Sequence, residues 1–170
     1  MEEKFIAATK SIRRNIPIAT LGIIFLLMLY FNSFKTVLII LLSSILPIIG
    51  GLLGLFFTGS GFNFITFLGI ILLFGIVINN VILLVDCINI EIKDASQDMQ
   101  TAIIIAAQMR FRPVVLVMFV AVAGLLPLWW MGDSMFSSMA VFMIFGFFMA
   151  IFSTLFVLPI LYNFVYKNVK

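Results

Sequence analysis

The chain of 170 residues has no histidine and a single cysteine, Cys87. With those two absences go any intrachain disulfide, any CxxC or histidine-based metal site and any Ser-His-Asp triad, so no catalytic residue, metal site or cofactor is expected. Charge is scarce as well. Seven acidic and ten basic side chains make up 10% of the chain, where a soluble domain carries about 25%. Apolar residues fill the space: 64% of the chain, with 20 Phe and 10 Met, and a mean hydropathy of +1.30. This composition is that of an integral membrane protein. A net charge of +3 would suit nucleic acid only if it formed a basic face. The Lys and Arg fall instead at segment edges, so they read as membrane anchors, and the partner is the lipid bilayer with no nucleic acid. A cleavable signal peptide is not expected, because the first apolar run has no small-residue cleavage pattern and leads directly into a second span.

Five apolar segments have spanning length. The first, about Ile16 to Phe34, follows the polar stretch EEKFIAATKSIRRN and carries Pro17 in its first turn, where a missing N–H costs little. The second runs from about Thr36 to Phe57. Its Pro47 and the run GGLLG mark a helix that kinks or admits a neighbouring backbone, which gives Gly50, Gly51 and Gly54 a helix-packing role. The third, about Phe62 to Val85, has 24 residues and reaches about 36 Å. The fourth starts at Val114 after Pro113 and ends near Trp130. The fifth runs from about Ser138 to Val165, with Pro159 near its end. Between the third and fourth lies the polar connection Glu91 to Arg112. Met99, Ile103, Ala106 and Met109 recur there at helical spacing and Ser96 or Asp98 offers a cap, which predicts a short interfacial helix over about 96–110. Short connections near Thr58 to Gly61 and Gly132 to Ser134 make adjacent spans antiparallel. The expected fold is therefore an all-α membrane bundle: a polar segment over 1–14, then five transmembrane helices and one interfacial helix over 15–170.

Inside the third span stands GIVINNVILLVD, Gly75 to Asp86. Adjacent residues on a helix point about 100° apart, so Asn79 and Asn80 cannot both be packing accidents on one face. Interhelical hydrogen bonds, about 1 kcal/mol each in a membrane, are the plainest use for them. Asp86 follows Asn79 by seven residues, within about 20° of the same face and about 10 Å further along. It reads either as a proton exit group or as a carboxylate solvated among headgroups. Arg110 and Arg112 flank the fourth span as positive anchors, and Trp129 and Trp130 close its other end in the manner of an aromatic belt.

The distribution of Lys and Arg gives the orientation. Lys35, Lys93, Arg110, Arg112, Lys167 and Lys170 lie on one side, six in all, which predicts a cytoplasmic C-terminus. Lys4, Lys10, Arg13 and Arg14 pull the N-terminus to the same side, although an odd number of spans forbids it. The conflict disappears if the N-terminal segment is the tail of a preceding extracytoplasmic domain, so the chain is expected to be a piece of something longer.

The order GIVINNVILLVD, a polar helix, RFRPVVLVMFVAVAGLLPL and a final span ending LFVLPILY, preceded by FNSFKTVLIILLSSILPIIGGLLGLFFTG, resembles the C-terminal membrane region of resistance-nodulation-division (RND) efflux permeases. The resemblance covers nearly the whole chain in one register. It implies helices eight to twelve of a twelve-helix, two-repeat, multi-pass transporter of the bacterial inner membrane, a proton antiporter driven by the proton gradient with no cofactor. The implied partners are the remainder of the permease, including an acidic fourth helix and periplasmic domains, then a homotrimer with a periplasmic adaptor and an outer-membrane channel. In that family an acidic pair on the fourth helix carries protons, with partners on the tenth and eleventh. Asn79 matches the tenth-helix position that is Lys in the best-known drug exporters, and Arg110 matches the Arg at the start of the eleventh, while Val117 stands where those exporters carry a Thr. Asn79 and Arg110, with Asp86 behind them, are thus the proton-relay candidates. Asn79 is expected to face the missing fourth helix and Asn80 to hydrogen-bond a neighbouring helix of this chain. The alternative is a noncatalytic membrane interaction or assembly module, or a decayed fragment, and the neighbouring coding sequence discriminates between the two.

Overall fold

The computed structural model describes residues 21–94, 99–130 and 134–167, and every element among them is helical. The polar segment over 1–14, the first residues of the first span, the cap candidates Ser96 and Asp98, Gly132 and Lys170 lie outside the described residues. The chain divides into two compact units, Met1–Leu38 and Ile39–Lys170.

In the first unit, helix α1 (Leu21–Phe31) is a short apolar helix. It stops because Asn32 takes a left-handed φ of 47°, which a short amide side chain tolerates at a helix C-terminus. Asn32 N–H donates to the Met28 carbonyl at 2.9 Å. Ser33 Oγ then accepts from the N–H of Thr36, capping the start of α2 (Phe34–Thr58).

In the second unit, α2 ends where Gly59 adopts φ 65° and Ser60 N–H reaches back to the Leu55 carbonyl at 3.1 Å. That six-residue closure needs a residue without a Cβ at Gly59. Asn63 caps α3 (Phe64–Asp94), its Oδ1 accepting from the backbone N–H of Thr66 at 2.8 Å and from its hydroxyl at 2.9 Å. Helix α4 covers Met99–Trp130. The last span consists of α5 (Ser134–Phe152), a π-helical turn over Ser153–Val157 and α6 (Leu158–Lys167). Among the described residues, four stretches are long and apolar enough to cross a membrane: Phe34–Thr58, Phe64–Ile92, Gln100–Trp130 and Phe136–Tyr166.

The helix predicted over about 96–110 is present from Met99, but it does not stop before Pro113; it runs unbroken into the fourth span. Pro113 lacks an N–H for the Met109 carbonyl four residues back, which weakens one bond without ending a long apolar helix. The third span likewise continues past Val85 to Asp94.

The last span is the centre of the bundle. Gly50, Gly51 and Gly54 of α2 lie against Met149, Phe142 and Phe145 of α5, so close that an added Cβ at Gly54 would stand 2.5 Å from Phe145 Cγ. On another side Leu73 of α3 fills the space that a side chain on Gly146 would need. Met118, Phe119 and Val122 of α4 face Phe147, Phe148 and Ile151. Backbones approach this closely because Gly leaves its flank open, and van der Waals packing is what holds helices together where lipid is as apolar as they are.

Candidate functional site: the uncovered stripe of α3

Helix α3 buries Leu73, Val77, Val81, Leu84 and Ile88 against the rest of the chain. On its opposite side Leu68, Leu72, Gly75, Asn79, Leu83 and Ile90 are exposed and Asp86 is half-buried. Steps of three and four residues make these one continuous stripe. Asn79 sits at its middle, and an added Cβ at Gly75, one turn away, would meet nothing within 4 Å. Asn80, one residue on, is turned inward and only 7% exposed. Its Nδ2 has no hydrogen-bond partner among the described residues, so the hydrogen bond expected between Asn80 and a neighbouring helix is not made through that atom.

Asp86 shares the stripe with Asn79. Arg110 is half-buried on α4, whereas Arg112 and Val117 are exposed. Measured from the short connection between α3 and α4, Arg110 lies roughly 16 Å along α4, Asp86 roughly 12 Å and Asn79 roughly 22 Å back along α3. Arg110 is therefore at a height between the two α3 residues, on the adjacent helix. Among the described residues no hydrogen bond or ion pair joins the three. Trp129 and Trp130 are exposed at the far end of α4. Near the other end of the bundle a pocket of about 310 Å³ opens between Ile104, Gln108 and Phe111 of α4 and Leu155, Phe156 and Pro159 of the last span.

The AcrB/AcrD/AcrF family model matches residues 1–166. The chain belongs to that family. Its members are RND efflux permeases, transporters and not catalytic enzymes, so the apolar helices described above are membrane parts of a multi-pass inner-membrane protein. In such a protein the stripe of α3 carries the only amide and the only carboxylate that this helix turns away from its own chain between Phe64 and Ile90. Side chains of this kind are costly in lipid and stay where another protein surface or water receives them.

Two polar features escaped the sequence reading. Ser153 Oγ donates to the carbonyl of Ser43, and Tyr162 OH donates to Asn89 Oδ1 at 2.7 Å. The first has a physical cause in Pro47, which has no N–H to give the Ser43 carbonyl four residues back. A signal for it exists in the sequence: SSILP and STLFVLP each place a hydroxyl pair shortly before a proline.

Proposed function

We propose that this chain forms the C-terminal membrane part of a proton-driven efflux permease, in which the α3 stripe is completed by an acidic helix from the remainder of the protein. The observation that carries this reading is the split between two neighbours: Asn80 is buried against its own chain, while Asn79 is left uncovered beside Gly75, where a second backbone can come close. Asn79 orients a carboxylate or a water on the incoming helix. An amide carries no positive charge, so it does not neutralise a buried acidic pair, and Arg110 or a protonated acid supplies that balance. Asp86, about 10 Å further along the stripe, passes the proton to the side that holds the Asp94 to Met99 connection. The energy source is the proton gradient, without a cofactor. The assembly is a trimer working with a periplasmic adaptor and an outer-membrane channel, as is general for RND permeases.

The test is proton-driven efflux by the whole permease, normalised to protein in the membrane. Asn79→Leu should reduce export more than tenfold at near-normal expression, because the relay carboxylate loses its amide partner. Asn80→Leu should act mainly on folded yield. Full export by Asn79→Leu would remove the relay role and leave both asparagines to helix packing.

A further inference from the structure

Helix α3 and the last span run parallel, and two contacts fix their register. An added Cβ at Gly69 would meet Met139, and one at Gly146 would meet Leu73. Asn80 lies seven residues past Leu73, and Ser153 seven past Gly146. Seven residues are two turns, about 10 Å of rise and within about 20° of the same face. Asn80 therefore comes level with the π turn, which α3 touches, and it is directed at the turn as Leu73 is at Gly146. From α2, Ser43 is tied to the same turn through Ser153 Oγ. Three helices thus bring Ser43, Asn80, Ser153 and Thr154 to one height, and all four side chains are more than nine-tenths buried. Ser153 has its partner. Ser43 Oγ, Asn80 Nδ2 and Thr154 Oγ1 have none among the described residues, and the residues within one turn of Asn80 and Thr154 along their own helices include Val77, Val81, Leu84 and Leu158, all buried and apolar. Three unpaired polar atoms at one level of a packed bundle call for a ligand that can bond them all, since buried polar groups are almost always satisfied.

We propose that Ser43, Asn80 and Thr154 form a binding site for buried water, linking α2, α3 and the last span. A water oxygen accepts from Asn80 Nδ2–H, and its two hydrogens are donated to Ser43 Oγ and Thr154 Oγ1. Three polar partners lie within the two to four that an internal water uses. The donor set favours water over a monovalent cation: an amide N–H cannot ligate a cation, and no carboxylate belongs to the group. The site lies where Pro47 removes one backbone donor from α2 and Pro159, beside the π turn, removes one from the last span, so the water adds cross-helix bonding at the level where each backbone lacks a donor. It is on the inward face of α3, away from Asn79.

A double-mutant cycle on the intact protein in detergent micelles tests this. Asn80 and Thr154 share no direct hydrogen bond, so without a common water the Tm shifts of Asn80→Leu and Thr154→Val add. With a common water, either substitution already removes most of what it contributes. The expected result is a fall of about 2–4 °C for each single variant and a double variant little worse than the larger of the two. Additive shifts would overturn the proposal. If Asn80→Leu does not fold, Ser43→Ala with Thr154→Val runs the same cycle with the same two outcomes. Thermal unfolding of the unsubstituted protein should be the same in sodium chloride and in choline chloride. A sodium-dependent rise in Tm that Thr154→Val abolishes would replace water by a cation and overturn the assignment.

Discussion

Gly51 faces the ring of Phe142, with an added Cβ only 2.5 Å from Cε2, and Phe142 is completely buried, so the ring has no free direction to turn. In an exposed helix interior, Gly→Ala stabilises by about 0.5–1 kcal/mol through backbone entropy. Here the new methyl must push two packed helices apart, and overpacking costs about 1–3 kcal/mol. The second effect is the larger. Gly51→Ala is expected to lower stability by about 1–2 kcal/mol, read as a fall in Tm in detergent; a higher Tm would show that α2 and α5 are not in register at this residue. That these glycines matter could be read from GGLLG, because a cluster of small residues in a span has few uses other than close approach. Which aromatic each one meets could not, since that depends on the register of two distant helices. The two asparagines divide in the same way. Their divergence by about 100° follows from helix geometry alone, while the lack of a partner for Asn80 Nδ2 depends on what three other segments bring to its level.

At the scale of the element, the proline positions were plain and their consequences less so. Pro113 was expected to open a new span after a separate surface helix, yet α4 continues through it. The reason is that a proline removes one hydrogen bond, and a helix apolar on both sides of it has no better conformation in lipid. Pro47 acts at longer range by leaving the Ser43 carbonyl for Ser153. This predicts a coupling. Ser153→Ala should cost about 0.6 kcal/mol, the usual worth of an interhelical hydrogen bond in a membrane, when Pro47 is present. With Pro47→Ala the Ser43 carbonyl regains an N–H in its own helix, and the cost of Ser153→Ala should shrink towards zero. A four-variant unfolding cycle measures it, and equal costs in both backgrounds would dissociate the serine bond from the proline. No periodicity argument reaches the π turn, because it is an interruption of the period itself.

On the scale of the whole molecule, α3 with 31 residues and α4 with 32 are each about 46–48 Å long, well beyond a hydrocarbon core of about 30 Å. Their charged residues, Asp86, Glu91, Lys93 and Asp94 on α3 and Arg110 and Arg112 on α4, are all nearer the end that carries the connection between them. A reporter inserted between Asp94 and Met99, or fused after Lys170, is therefore expected on the cytoplasmic side of the whole permease, following the basic bias of that side. Periplasmic labelling at either position would reverse the proposed orientation. The all-helical architecture and its membrane setting were legible because each follows from segment length and apolarity, whereas the separate interfacial helix was not there to be counted, since it is continuous with the fourth span. The central place of the last span was not legible, because all the spans are apolar on every side and sequence alone ranks none of them as the core.

The π turn at Ser153–Val157 closes with the N–H of Leu158 on the Ser153 carbonyl, five residues back. One more residue is held there than an α-helix needs for the same rise. Tolerance of length change in this helix is therefore uneven. Elsewhere, losing a residue turns every later side chain by about 100° out of a face already chosen. Within the turn, losing one lets the ring close four back, so the N–H that closes it keeps a carbonyl partner, and the damage moves to the far end, where Tyr162 swings off Asn89. A single-residue deletion there leaves the helix continuous and changes which of its faces the C-terminal end presents.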